Sequence, residues 1–480
     1  MAGIGFELNR LVKKDNLMDV ARAYIYTALA AVGPWLYTVA VLAFITLVQG
    51  SGAESGLTYF RTIVVYNFSI SLVLSAPIFM IATRVLSDAI HAYNVTAIPT
   101  TMQKCVWLAV LINLPIGILW YMTDWYILDM GEKITGFANL MLIAIIWVLA
   151  VFLLALKDYM SVSKAFLIGH LLSFFLIWFS SYFRPDEPMS AKLLLTYFNC
   201  GLVVIVCLLI ARIWAEYPYR YNKDFKLMPF FRQYWPLALG GLFYNAAIWA
   251  DKWLMWQYAP ESVQLPSLMR YFPAYDHAMF LAIVCTVPAF VLFVVVVETN
   301  FFNHYQRFYG DILSHRPLSR IMKRHGDLLE SVHDGARQLM LTQGLFTLIF
   351  IAFAPFLVHF LHGNYAEVSI LRLGALGGFF HLLMLAATVI LSYFDCRKQV
   401  MWVYFWFMVL NAVFTLITIF GDNMGFPYYG YGYFFSALLS FVMAATLLFS
   451  HLKNLLYHSF ITNNLSVRNL EMASKVEGQF

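Results

Sequence analysis

The groups best placed to do chemistry in this sequence are ionisable side chains inside long apolar runs. Asp251 and Lys252 are adjacent in the run 234–259, Glu298 closes the run 277–302, and Arg372 stands a few residues into the run 367–393. A charge at the centre of a bilayer costs about 2.5–3.5 kcal/mol on insertion scales, so each such residue raises a functional question, although intramembrane charges also serve packing. Consecutive helical side chains point about 100° apart, so Asp251 and Lys252 are not expected to share a surface. One of them must face a cavity or a neighbouring helix. At the helical rise of about 1.5 Å per residue, Asp251 lies roughly 26 Å from the start of its run, in the outer part of the membrane. Arg372 lies at a similar depth, which puts an Asp251–Arg372 pair within reach. The same charges also fit a static lock between two helices, or Lys252 and Arg372 reaching out to the interface on their long stems.

Glu298 has two readings. Flanked by Val296, Val297 and Phe301, it suits a proton or cation site at the inner mouth; as an interfacial acid it would pair with Arg307 or the nearby loop bases. Asn245 and Tyr244, with His381 in the run 367–393, are the mid-depth polar groups assigned to a cavity wall, although a lone histidine is more often hydrogen-bonded packing than a ligand. Gly33-Pro34 interrupts the first apolar run. Proline removes a donor and kinks a helix, which predicts either a gating bend or a fixed packing kink. Pro77, Pro115, Pro288 and Pro355 fall in other runs, so proline alone is not diagnostic. Aromatic residues make up 18% of the chain. Aromatic faces stack on sugars, but Trp and Tyr also form interfacial belts. Tyr121, Trp125 and Tyr126, and Tyr428, Tyr429, Tyr431 and Tyr433, are assigned to such belts.

The elements that must position these residues are membrane helices. Of 480 residues 61% are hydrophobic and 12% charged, with a mean hydropathy of +0.72, and about 20 apolar residues span a hydrocarbon core. The apolar runs predict an all-α polytopic protein with twelve spans, near 22–48, 61–87, 104–122, 138–157, 163–182, 193–214, 234–259, 277–302, 338–362, 367–393, 400–420 and 429–452. An even number places both ends on one side, and Lys and Arg mark the cytoplasmic side. Of the 31 basic residues, Arg61, Lys133, Arg184, Lys192 and Arg270 fall in odd-numbered loops or at their edges, and Lys252 and Arg372 fall deeper inside spans; the rest lie at the ends, in even-numbered loops or at the edges of these. Both termini are therefore expected in the cytoplasm, and the first run, too long for a cleaved signal, is expected to be retained. The net charge of +5 reflects loop placement and implies no nucleic-acid partner.

Four regions follow: an N-terminal bundle 1–214, with a basic amphipathic start (Gly5 to Asn16) suited to an anionic lipid surface; a cytoplasmic linker 215–233; a C-terminal bundle 234–452; and a polar tail 453–480. The linker carries Arg220, Lys223 and Lys226 among tyrosines. Within the second bundle, 303–337 has apolar residues at helical spacing between Arg320, Lys323 and Arg324, and predicts an amphipathic helix on the membrane or against a partner. These basic residues are the partner-docking candidates. Cys105, Cys200, Cys207, Cys285 and Cys396 show no disulfide framework or metal spacing, and no Walker A sequence is present; no cofactor is implied.

Several stretches are more specific. MAGIGFELNRLVKKDNL and RAYIYTALAAVGPW at the start, ADKWLMW at 250–256, FVVVVETNFFNHYQRFY at 293–309 and YFDCRKQ at 393–399 resemble the PelG family, inner-membrane transporters of the Pel exopolysaccharide, from residue 1 to about 458. The resemblance implies a fold like the multidrug/oligosaccharidyl-lipid/polysaccharide flippases: two six-helix bundles around a central cavity, alternating access, and a bent first helix that serves gating. It also implies an N-acetylhexosamine polymer as substrate, a cytoplasmic glycosyltransferase and two membrane proteins of the pathway as partners, and a bacterial inner-membrane location. Three other readings stand beside it. A lipid-linked oligosaccharide flippase would share the architecture. An intramembrane glycosyltransferase or polymerase would need a longer outer loop bearing acids or histidine, which this sequence lacks. A scaffold that docks a synthase through 215–233 and 303–337 is compatible with transport.

Overall fold

The computed structural model describes residues 28, 32–49, 54–92, 95–156, 158–183, 189–222, 225–360, 363–422 and 424–462. The amphipathic start, Arg184, Lys223 and the end of the tail lie outside the described residues. The described chain is almost entirely helical, as lipid requires: a backbone without water must satisfy its own hydrogen bonds.

The first helices are α1 (Gly33–Gln49), α2 (Glu54–His91), α3 (Ile98–Gly117), α4 (Met130–Ala155), α5 (Tyr159–Phe183) and α6 (Ala191–Glu216). A short α7 (Met228–Gln233) leads into α8 (Trp235–Tyr258), and a two-stranded hairpin, β1 (Val263–Gln264) with β2 (Arg270–Tyr271), follows. Then come α9 (Pro273–Val284), α10 (Val287–Val296), α11 (Phe302–Leu313), α12 (Leu318–Phe360), α13 (Glu367–Tyr393), α14 (Arg397–Phe420) and α15 (Tyr431–Lys453). Among the described residues, ten helices are long and apolar enough to cross a membrane. The predicted first and seventh spans correspond to α1, which is short, and α8, whose Asn245, Asp251 and Lys252 lower its hydropathy.

Two boundaries differ from expectation. The predicted span 277–302 lies within one apolar run, Pro273–Leu313, counted among the ten, but a turn interrupts its helix: α9 stops at Val284, Thr286 Oγ1 donates to the Ile283 carbonyl at 2.7 Å, and Pro288 falls in the first turn of α10. The segment 303–337 is not a separate surface helix. Its second part runs without a break into the following span as α12, 43 residues long.

The contacts form two compact units. One is Ala28–Trp249 with Pro260–Tyr271; the other is Ala250–Ala259 with the residues from Phe272 on. The division falls inside α8. In the first unit α2, α4 and α6 pack together, α3 lies on α2 and α4, and α5 joins α6 and α1. Phe60, Val64, Leu140, Leu194 and Phe198 are fully buried there. Lipid tails are as apolar as leucine, so helices in a bilayer are held by close packing and hydrogen bonds rather than by apolar burial. Both devices are present. Helices α5 and α6 touch at Gly169 and Gly201: a Cβ on Gly201 would stand 2.3 Å from the Gly169 carbonyl oxygen. An amide ladder ties four helices. Asn67 donates to Gly136 O at 3.0 Å and Asn139 Oδ1 at 2.9 Å, and Tyr121 donates to Asn67 Oδ1 at 2.8 Å. Asn139 donates to Asn199 Oδ1 at 2.8 Å, and Asn199 to Thr135 O at 2.9 Å. The β1–β2 hairpin packs on this unit, with Ile127 N donating to Ser267 O at 3.1 Å and Tyr66 donating to Arg270 O at 2.6 Å. In the second unit α13 packs on α9, α12 and α15, and α14 packs on α15. Large apolar side chains stay exposed on the outer faces, Trp107 and Leu111 of α3 and Leu348 and Phe356 of α12 among them. Such contiguous apolar surface suits lipid rather than water.

Candidate functional site

The second unit holds a buried cluster of charged and polar groups around Asp251. The carboxylate is fully buried, and Lys252 is 7% exposed. Lys252 Nζ lies 3.1 and 3.2 Å from the two Asp251 oxygens. The expectation that these consecutive residues cannot share a surface is corrected: their Cβ directions diverge, but the four-carbon lysine stem folds back across the gap. Tyr275 of α9 donates its hydroxyl to Asp251 Oδ2 at 2.7 Å, and Asn411 Nδ2 of α14 donates to Oδ1 at 3.3 Å. Thr415, one turn on, donates to Asn411 Oδ1 at 3.4 Å. Three helices thus converge on one carboxylate, as a buried ion pair requires if its remaining lone pairs are to be satisfied.

The cluster extends on both sides. Lys252 Nζ sits 6.0 Å above the Tyr433 ring of α15, within range for a cation–π attraction. The Tyr433 hydroxyl lies 2.7 Å from His381 Nδ1 on α13. Asp276, next to Tyr275, accepts from Trp256 Nε1 at 3.0 Å on both oxygens. Trp256 stands one helical turn beyond Lys252, so α8 presents a lysine and an indole donor to carboxylates on itself and on α9.

Of the residues singled out in the sequence, the structure brings Asp251, Lys252 and His381 together. Arg372 does not join them. It is exposed on α13 and donates to the Ile351 carbonyl of α12 at 3.2 Å, so the Asp251–Arg372 pair does not form; the adjacent lysine takes its place. Asn245 is buried but bonded within its own helix, to Gly241 O at 2.8 Å, and Tyr244 is half-buried. Glu298 lies in a π-helical turn, Val297–Phe301, between α10 and α11; its side chain lies outside the described residues. Gly33 and Pro34 open α1. Val32 N bonds to Ala28 O at 2.9 Å, Leu36 N bonds to Val32 O at 3.0 Å, and a Cβ on Gly33 would stand 3.0 Å from Ser163 Oγ of α5.

The docking candidates divide. Arg320 Nε binds Asp311 at 2.9 Å, and Arg324 reaches Asp311 and Asp327 at 3.4 Å, so both hold the α11–α12 hairpin together. Lys323, Arg220 and Lys226 are exposed.

Sequence reading missed Tyr275, Asp276, Asn411 and Trp256, and it placed Tyr433 in a belt. Tyr433 and Tyr429 are buried at 5% and 1%, as are Tyr121 and Tyr126 of the other group, while Trp125 is exposed. One signal was available: Asn411, Thr415 and Thr418 form a polar stripe at helical spacing along an otherwise apolar helix.

The fold matches solved transporters across nearly the whole chain. An outward-facing multidrug resistance MATE family transporter of the MOP superfamily aligns at 12% identity and TM-score 0.61, covering 94% of this chain and 97% of its own. An inward-facing MATE family structure aligns at 13% and 0.61, covering 88% and 96%. A MOP superfamily transporter from Pyrococcus furiosus aligns at 13% and 0.62, covering 94% and 97%. At these identities the likeness shows the fold alone. MATE transporters have twelve transmembrane helices in two bundles. No curated protein matches the chain. The PelG family model, described as "Putative exopolysaccharide Exporter (EPS-E)", matches residues 1–460. With a flippase-type fold and that match over almost its full length, the chain belongs to the PelG family of exopolysaccharide exporters.

Proposed function

We propose that this protein exports the Pel exopolysaccharide, a polymer of N-acetylhexosamine units, across the bacterial inner membrane. In this reading it works with a cytoplasmic glycosyltransferase and with inner-membrane proteins of the same pathway, and both termini are cytoplasmic. The observation that carries the proposal is the family match over residues 1–460 on a MATE-like fold. The solved neighbours include outward-facing and inward-facing forms, which supports alternating access here. The distribution of Lys and Arg supports the orientation.

The Asp251 cluster is the proposed coupling site. Lys252 balances Asp251, so the group carries an unbalanced negative charge whenever Asp276 is also ionised. Burying that charge is costly, and a cation taken up there removes the cost. Binding and release of a cation would therefore shift the relative stability of two conformations, as any ligand with different affinities for them must.

The test is reconstitution with the partner proteins in proteoliposomes, following entry of labelled polymer. Entry that depends on this chain, without new glycosidic bonds when the chain is alone, is expected. Entry in its absence, or bond formation by it alone, overturns the reading. Asp251→Asn is expected to abolish entry at normal membrane insertion; full activity would reduce the cluster to packing.

A further inference from the structure

A second charged feature lies in the first unit, where the chain leads into α8. Asn222 and the stretch Phe225 to Tyr234 are pinned at several points. Asn222 N donates to Thr100 Oγ1 at 2.9 Å, and Lys104 of α3 donates to the Phe225 carbonyl. Tyr234 donates to Asp88 Oδ2 at 3.0 Å, with Arg84 over its ring. Between these points is a groove of about 750 Å³ whose charged lining is Lys104, Lys226 and Arg232, with Gln233 beside them. No acidic residue lines it among the described residues. Lys104 is held in place by the Phe225 carbonyl and by the rings of Tyr221 and Phe225, 5.7 and 5.6 Å from its nitrogen. Lys226 and Arg232 are exposed and make no ion pair among the described residues.

Three cations lining one groove suit an anion with several oxygens. The surroundings identify its source. Met228, 73% exposed, lines the same groove, and Trp235, 45% exposed, follows it at the first residue of α8. Helix α3 is apolar from Cys105 to Ile112, just beyond Lys104. The cations therefore stand at the height where two helices enter the hydrocarbon, with apolar side chains on the lipid side. Tryptophan marks that level in membrane proteins, and basic pockets between membrane helices there take anionic head groups.

We propose that this groove is a binding site for the phosphate head group of an anionic membrane lipid, with Lys104, Lys226 and Arg232 on the phosphate and Met228 against the acyl chain. No step of transport is needed for it; it depends only on the membrane reading of the chain.

The test uses the purified full-length chain in neutral detergent, titrated with dioleoyl phosphatidylglycerol and read as lipid adducts by native mass spectrometry. Dioleoyl phosphatidylcholine is the uncharged control. Wild type should retain phosphatidylglycerol and not phosphatidylcholine. Near a membrane surface each cation contributes about fivefold in affinity, so Lys226→Gln/Arg232→Gln should bind about 30-fold more weakly. The charge-conserving Lys226→Arg/Arg232→Lys should bind like wild type, and Arg316→Gln/Lys323→Gln, which removes equal charge elsewhere, should also leave retention unchanged. Equal retention by wild type and the Gln pair, or loss in the charge-conserving pair, overturns the proposal. So does a thermal-shift response to inorganic phosphate or pyrophosphate that needs Lys226 and Arg232 while phosphatidylglycerol gives none, because it assigns the groove to a soluble anion.

Discussion

Removing Lys252 leaves Asp251 with no cation inside a fully buried site, and that is the most informative perturbation of this molecule. In the native chain the ammonium stands 3.1 Å from the carboxylate, with side chains 9% and 0% exposed. Breaking one side of a buried pair costs about 3–5 kcal/mol, because the partner stays desolvated; replacing both with neutral groups of similar size is often nearly neutral. Lys252→Met should therefore destabilise by about 3 kcal/mol or more. Asp251→Asn should cost a similar amount, since it strands the ammonium and disturbs the bonds from Tyr275 and Asn411. The double variant Asp251→Asn/Lys252→Met should recover much of that loss. Unfolding of the detergent-solubilised chain under SDS, followed by far-UV circular dichroism, provides the four corners of a double-mutant cycle. The expected coupling is about 2 kcal/mol or more, well above the roughly 0.5 kcal/mol at which independent sites add. Additivity of the two single changes within about 0.5 kcal/mol would refute the argument, for the pair would then contribute nothing as a pair.

Three further outcomes follow from other features. Tyr275→Phe deletes one hydroxyl that donates to a buried carboxylate, so it should cost about 1.5–3 kcal/mol by the same SDS unfolding; a loss below about 0.5 kcal/mol would show that the bond does not stabilise the cluster. Gly201→Val should push α5 from α6, because even a Cβ at that position would stand 2.3 Å from the Gly169 carbonyl oxygen; overpacking of this kind costs about 1–3 kcal/mol or more, and an unchanged melting temperature in detergent would contradict the contact. Asp158, in the turn between α4 and α5, governs a pH effect. Burial pushes its carboxyl up, but hydrogen bonds from Arg212 and Ser161 and the Arg212 charge outweigh burial and hold it below the usual carboxylate range. A lowered folded value means stability present above the unfolded value near 3.9, and lost as pH falls through the folded value. With a partly exposed pair the effect is below about 1 kcal/mol, and Asp158→Asn should flatten that acid limb of the melting curve; an unaltered limb would assign it to other carboxylates.

How much of this was legible depends on what the residues had to signal. The apolar runs located the membrane helices because hydrocarbon imposes one requirement on every residue of a span. The continuous α12 was not legible: polarity changes near residue 337, but a helix satisfies its backbone equally in water and in lipid, so the change marks the solvent boundary and not the end of the helix. Asp251 and Lys252 stood out because charge is rare in such runs. Tyr275 and Asp276 did not, since they follow Pro273 at the edge of an apolar run and read as outer loop. Tyr433 was misplaced for a related reason. A tyrosine near a span end fits the interface by composition, and only the packing of α15 on α13 and α14 turns it inward. Arg372 shows the converse: depth along a helix says how far a residue lies from the end, not which way it faces.

The continuity of α12 has a mechanical consequence. At about 1.5 Å per residue, its 43 residues make a rod roughly 64 Å long. About 30 Å of hydrocarbon holds the half that contains Pro355, and the half from Leu318 projects beyond it, braced by Asp311 through Arg320 and Arg324. A continuous helix carries a tilt along its whole length, together with α11, which the two arginines tie to its far end. A tilt of about 5° in the lipid-held half would carry the far tip sideways by roughly 3 Å over a projection of about 30 Å. A displacement too small to notice among membrane helices thus becomes, at the tip, about the length of a hydrogen bond, and anything seated there would feel each tilt as the making or breaking of contacts.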